Sequence, residues 1–174
     1  TGDDSRYFNK YGNYDTVGAY QSQDSPYYEW YCFNKYPESY ESWWGFSTLP
    51  NVKEETPSYM NFIINDDDSV LKYWMKQGIS GWRLDVVDEL PEKFTQTFYK
   101  ELKKVDKDAV MLGEVWEDAS NKSAYGVSRE YLCGQELDSA MNYPFRQAVL
   151  DFLLGYADAG QVSVRLRSLQ ENYP

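Results

Sequence analysis

The 174-residue sequence has no histidine, only two cysteines, and 17 Lys+Arg against 28 Asp+Glu. The missing histidine removes imidazole bases, Ser-His and Cys-His nucleophile pairs and most zinc sites, so any acid/base chemistry must run on carboxylates. Cys32 and Cys133 are too few and too far apart for a disulfide framework or a metal knuckle, and read as free thiols. A formal charge of −11 repels phosphate backbones and anionic membrane surfaces, which argues against nucleic acid as a partner. No apolar run reaches the roughly 18 residues of a membrane span, and the mean hydropathy is −0.71. No basic and apolar targeting signal opens the chain. A cytoplasmic location is the expectation.

Aromatic residues are abundant instead: 6 Trp, 17 Tyr and 8 Phe make 18% of the chain, about twice the share expected of a soluble domain. Sugar rings suit such a composition, because their C–H faces stack on indole and phenol while carboxylates and amides bond their hydroxyls. The plainer alternative is that Tyr-rich loops pack on one another. With 42% apolar residues the chain can build a packed core.

Two textures divide the sequence. Residues 1–60 are rich in Tyr, Asn, Ser, Gly, Pro and Asp without a sustained period, as in Tyr11-Gly12-Asn13-Tyr14 and the stretch from Pro26 to Trp44, and read as a loop-rich subdomain. Residues 61–174 alternate helical and strand patterns. Asp66-Asp67-Asp68-Ser69 supplies a helix cap, Val70, Leu71, Trp74 and Met75 an apolar stripe, and Gly78 a stop. GWRLDVV (81–87) reads as a strand with Trp82, Leu84 and Val86 on one face and Arg83, Asp85 and Val87 on the other. Leu90-Pro91 opens a helix striped by Phe94, Phe98, Leu102 and Val105. AVMLGEVW (109–116) reads as a buried parallel strand with Glu114 near its end. QELDSAMNY (135–143) is followed by a helix from Pro144, striped by Phe145, Val149, Phe152 and Leu153, and by a last helix from about Asp158 toward Leu169.

Trp82, Val110 and Leu137 fall 28 and 27 residues apart, the length of one βα unit, which predicts three successive units. Parallel strands joined by helices leave an open doubly wound sheet or part of a βα-barrel, and both put functional residues at the carboxyl ends of strands. Arg83 sits roughly 6–7 Å along the strand from Asp85, near enough to keep that carboxylate ionised. Apolar neighbours Met111, Leu112, Val115 and Trp116 are expected to desolvate Glu114, raise its pKa and hold its proton. An ionised and a protonated carboxylate about 5–5.5 Å apart are what retaining glycoside hydrolysis requires. The competing reading is a salt-bridged structural layer.

Gly81-Trp82-Arg83-Leu84-Asp85-Val86-Val87-Asp88-Glu89-Leu90 resembles the α-amylase-family signature around the nucleophile, and Gly113-Glu114-Val115-Trp116-Glu117-Asp118 that around the acid/base. Leu49-Pro50-Asn51-Val52 is similar to the motif closing the family's inserted loop domain. The Tyr-rich lead and Asp138-Ser139-Ala140-Met141-Asn142-Tyr143-Pro144 look closest to neopullulanases, maltogenic amylases and cyclomaltodextrinases.

The resemblance implies an α/β fold, part of a (β/α)8 TIM barrel preceded by a loop subdomain, acting on α-glucan oligosaccharides of the cyclodextrin, maltodextrin or pullulan type. It implies Asp85 as nucleophile, Glu114 as acid/base, Arg83 as the orienting cation, and Trp116, Trp43 and Trp44 as substrate contacts. The family's Asn-His motif is expected before Thr1 and its His-Asp motif, with the third carboxylate, beyond Pro174, so the isolated chain is expected to be nearly inactive. A non-catalytic carbohydrate-binding or scaffold homologue is the alternative. No cofactor or metal is expected: Asp66 to Asp68 have the oxygen donors for Ca²⁺, which stays an option for a longer parent, but a solvated helix N-terminus explains them more simply. Open sheet edges lead us to expect self-association.

Overall fold

The computed structural model describes residues 17–174, and its internal contacts fall into two units that meet between Met60 and Asn61. Tyr11 to Tyr14 of the loop-rich stretch lie outside the described residues.

In the first unit, irregular backbone is held by a short antiparallel pair, β1 (Phe33–Lys35) and β2 (Ser39–Tyr40). Isolated bridges Tyr31 to Val52 and Ser42 to Pro50 add to it. The Leu49–Val52 motif is therefore the segment that returns across this unit. Among the described residues of this unit, aromatic rings pack on one another. Tyr28 stacks on Phe33 with centroids 5.2 Å apart, Tyr36 meets both edge-on, and Trp30 stands edge-on to Tyr59. The short helix α1 (Pro57–Met60) ends the unit.

In the second unit, a π-helical turn at Asn61–Asn65 leads to α2 (Val70–Lys76). Ser69 caps that helix by accepting from the Lys72 amide, as the acidic lead suggested. Gly78, at φ +96°, ends it. Three parallel strands follow in the order β3 (Gly81–Leu84), β4 (Val110–Gly113), β7 (Ser139–Ala140). A Cβ on Gly81 would stand 2.1 Å from the Val110 carbonyl oxygen, so glycine is what lets β3 and β4 approach. Helix α3 (Glu92–Val105) crosses between them and buries Phe94, Phe98 and Leu102, three of its four predicted stripe residues, while Val105 stays exposed. After β7, Asn142 caps α4 (Tyr143–Leu153), and a capping box at Asp158 and Gln161 starts α5 (Ala159–Asn172).

Two expectations need correction. The strands are shorter than their apolar runs: β3 ends at Leu84, and Val86 turns left-handed at φ 38° into a 3-10 turn over Val87–Glu89. The face alternation therefore fails from Val86 onward. Nor are there three βα units, because the connection from β4 to β7 holds no α-helix. Its length is taken up by a 3-10 turn at Ala119–Asn121 and an antiparallel hairpin, β5 (Lys122–Ala124) and β6 (Val127–Arg129). The physical reason is legible afterwards. Asn121 to Arg129 carries no apolar stripe at three- and four-residue steps, and Tyr125-Gly126 supplies the two-residue turn of a hairpin.

Candidate active site

The ladder between β3 and β4 pairs Arg83 with Leu112 and Leu84 with Gly113. It runs on past both strand ends: the Glu114 amide donates to the Leu84 carbonyl at 2.9 Å, and the Val87 amide donates to the Glu114 carbonyl at 3.0 Å. The next step of the register sets Asp85 beside Glu114 at the carboxyl rim. Arg83 joins them. Its Nη1 pairs with Asp85 Oδ1, and its Nη2 lies 2.9 Å from Glu114 Oε2. One guanidinium therefore spans two carboxylates from adjacent parallel strands, with the Asp85 side chain 76% exposed and that of Glu114 only 10%.

Glu114 is surrounded by donors. The Val86 amide donates to Oε2 at 3.0 Å, the Tyr143 hydroxyl to Oε1 at 2.9 Å, and the Trp116 side chain also hydrogen-bonds the carboxylate. The expected rise in its pKa is reversed. Burial does push the carboxyl up, since Met111 and Val115 are fully buried beside it. The Val86 amide first, then Tyr143, Trp116 and Arg83, outweigh that and hold it below the ordinary glutamate range. Donors to a carboxylate favour its ionised form, and one arginine holds that Glu114 carboxylate together with Asp85.

Arg83, Asp85, Glu114 and Trp116 thus meet at one rim. Trp43 and Trp44 belong to the first unit, where they stack on each other at 5.0 Å and Trp44 takes a left-handed φ of 49°. Sequence reasoning assigned no task to Tyr143 or Val86. The signal for Tyr143 was available, because it lies three residues past β7 and so follows the same strand-end rule as Asp85 and Glu114. Met141 from that loop sets its sulfur 3.7 Å from Arg83 Nη2. Asp138 serves the sheet: its carboxylate accepts from the Met111 amide at 2.7 Å and from Tyr99, and pairs with Lys103. Among the described residues, no group of three or more His, Cys, Asp or Glu is arranged to hold a metal ion, and no helix is long and apolar enough to cross a membrane. Cys32 and Cys133 are both free.

The family model for the alpha amylase catalytic domain matches residues 1–173. An amylopullulanase of Thermoanaerobacterium thermosulfurigenes is 37% identical over 203 residues, covering 100% of this chain and 10% of that protein. Neopullulanase 2 of Thermoactinomyces vulgaris is 31% identical over 162 residues, 88% of this chain and 26% of that one. Among solved structures, a cyclic α-maltosyl-(1→6)-maltose hydrolase from Arthrobacter globiformis in complex with maltose superposes with a TM-score of 0.78 at 28% identity, over 90% of this chain and 34% of that one. The chain therefore spans between a tenth and about a third of the length of these relatives. With the family model covering nearly every residue and both carboxylates standing at one strand rim, the chain belongs to the α-amylase catalytic-domain family.

Proposed function

We propose that this chain is the nucleophile and acid/base portion of a retaining α-glucan hydrolase, a segment of a (β/α)8 barrel acting on maltodextrin, cyclodextrin or pullulan-type substrates. The observation that carries the reading is Arg83 held between Asp85 and Glu114 at the ends of adjacent parallel strands. Asp85 attacks the anomeric carbon as the glycosidic C–O bond breaks, and Glu114 gives its proton to the departing oxygen. Glu114 then takes a proton from water, whose oxygen displaces Asp85 from the glycosyl ester. Double displacement on two carboxylates calls for no cofactor.

The low pKa of Glu114 in the free chain bears on the first step. A glycosidic oxygen carries no hydrogen and can only accept, so it bonds Glu114 only when that carboxyl holds a proton. Substrate binding therefore draws Glu114 toward its protonated form. Trp116 supplies the leaving-group-side stacking face in this reading, supported by its exposure and its hydrogen bond to Glu114. The resemblance assigns further sugar contacts and a third carboxylate to motifs outside these 174 residues, so the chain alone is expected to turn over slowly if at all.

The test is a pair of variants in a full catalytic domain that carries this segment. Glu114→Gln is expected to lose roughly 100-fold or more on maltooligosaccharides, the usual worth of a general acid. It should still release a good aryl leaving group that needs no proton. Asp85→Asn should fail on both. Equal losses on both substrates for Glu114→Gln would contradict the acid assignment.

A further inference from the structure

The hairpin between β4 and β7 is not used by the two-carboxylate reaction. Its strands are joined by Tyr125-Gly126, with Ala124 opposite Val127. Both loop residues have positive φ, 52° for Tyr125 and 81° for Gly126, as a type I′ turn demands. Asn or Asp suits the first position, because a short polar side chain tolerates left-handed backbone, whereas a bulky aromatic is disfavoured there. Burial does not explain the choice either, since Tyr125 is 76% exposed. A residue that strains the backbone and hides little apolar surface is poorly accounted for by stability.

The ring is nevertheless held in place. Glu89 hydrogen-bonds its hydroxyl and pushes the phenol up to about 12. Glu89 closes the 3-10 turn that follows Asp85, so the tether ties the hairpin tip to the nucleophile's own strand end. At the hairpin base, Lys122 reaches Asp88 at 3.3 Å and pairs with Glu117. The far strand is anchored by Arg129, buried against Glu136 at 2.7 Å. The loop that carries Glu114 and Trp116 thus continues into a braced extension of the rim, tipped by an aromatic ring with open faces.

We propose that Tyr125 is the stacking platform of an outer subsite on the leaving-group side, taking a glucose unit of an α-glucan beyond those next to the cleaved bond. The proposal rests on the α-glucan hydrolase reading. Glu114 donates to the leaving group, and Tyr125 tips the hairpin that follows the Glu114 strand end, which is why it is assigned to that side. An exposed tyrosine offers a flat apolar face to the C–H face of a sugar. Its tether removes the rotamer freedom that binding would otherwise cost.

The experiment titrates this chain with maltoheptaose and with maltose, by calorimetry or ligand-observed NMR, in wild type, Tyr125→Ala, Tyr125→Phe and Tyr125→Asn. Tyr125→Ala and Tyr125→Asn are expected to weaken maltoheptaose binding roughly threefold to tenfold, the scale of one aromatic contact. Tyr125→Phe keeps the face and should bind nearly as wild type, and maltose should ignore all three changes. Tyr125→Asn should melt at or above the wild-type temperature, because it relieves the turn. Three results would overturn the platform: unchanged maltoheptaose affinity in Tyr125→Ala, no measurable binding by wild type, or a Tyr125→Phe loss equal to that of Tyr125→Ala with a lowered melting temperature. The aryl-glucoside comparison of Glu114→Gln reports separately on the hydrolase reading, since so short a substrate does not reach an outer subsite.

Discussion

At Glu114, a buried carboxylate meets a backbone amide, a phenol, an indole and a guanidinium. The sign of its pKa shift depends on their sum against burial. The lowered value means that its charged form is bound more tightly in the folded chain than in the unfolded one. The resulting stabilisation is fully present above the ordinary glutamate range and is lost as pH falls through the folded pKa. Tyr143→Phe deletes one donor, so it should raise the Glu114 pKa, read by carbon-13 NMR titration, and shrink the difference in melting temperature between neutral and acidic pH. An unchanged or lowered Glu114 pKa in Tyr143→Phe would show that the bond to Oε1 does not stabilise the charge. The sequence named Asp85, Glu114 and Arg83 because period and motif carry that information. It misjudged the charge state of Glu114 because apolar neighbours are visible in sequence, whereas a Val86 amide turned inward by a left-handed φ and a tyrosine from a third strand are products of folding.

Among the elements, the β4-to-β7 connection departs most from expectation and has its own energetics. Arg129 and Glu136 are almost wholly buried. Thr95 donates to the same Glu136 oxygen at 2.7 Å, and Arg129 also donates to the Leu90 carbonyl and lies over the Tyr131 ring. Tyr131 in turn donates to Asp88 at 2.5 Å. This network ties α3, the turn after β3 and the hairpin together beneath the rim. Removing one partner strands a buried charge, at a cost of about 3–5 kcal/mol, whereas replacing both with apolar residues of similar volume is often tolerated. Glu136→Leu should therefore lower stability in urea more than the double change Arg129→Met with Glu136→Leu. A double variant weaker than the single would show that the pair itself stabilises the fold. The helices were legible from their caps, and α3 from its stripe as well, whereas three of the four residues expected to stripe α4 toward a core, Phe145, Phe152 and Leu153, are exposed. The hairpin was not, because a 27-residue spacing between strand positions fits a crossover helix equally well, and only local turn chemistry separates the two.

For the molecule as a whole, among the described residues, β4 is flanked on both sides while β3 and β7 are the outer strands of the three-stranded sheet. Phe145, Phe152, Leu153, Leu154 and Val164 of the helical end are exposed as well. Unpaired edges and bare apolar side chains favour association. Sedimentation velocity is therefore expected to show a weight-average mass that rises with concentration, and a strictly monomeric profile would count against open edges. The central claim concerns chemistry. It is tested most directly by incubating a catalytic domain that carries this segment with an activated fluoro-glucosyl fluoride and sequencing the labelled peptide by mass spectrometry. The account predicts a single glucosyl ester on Asp85. A label on another carboxylate, or full turnover with an inverted product and no label, would contradict it.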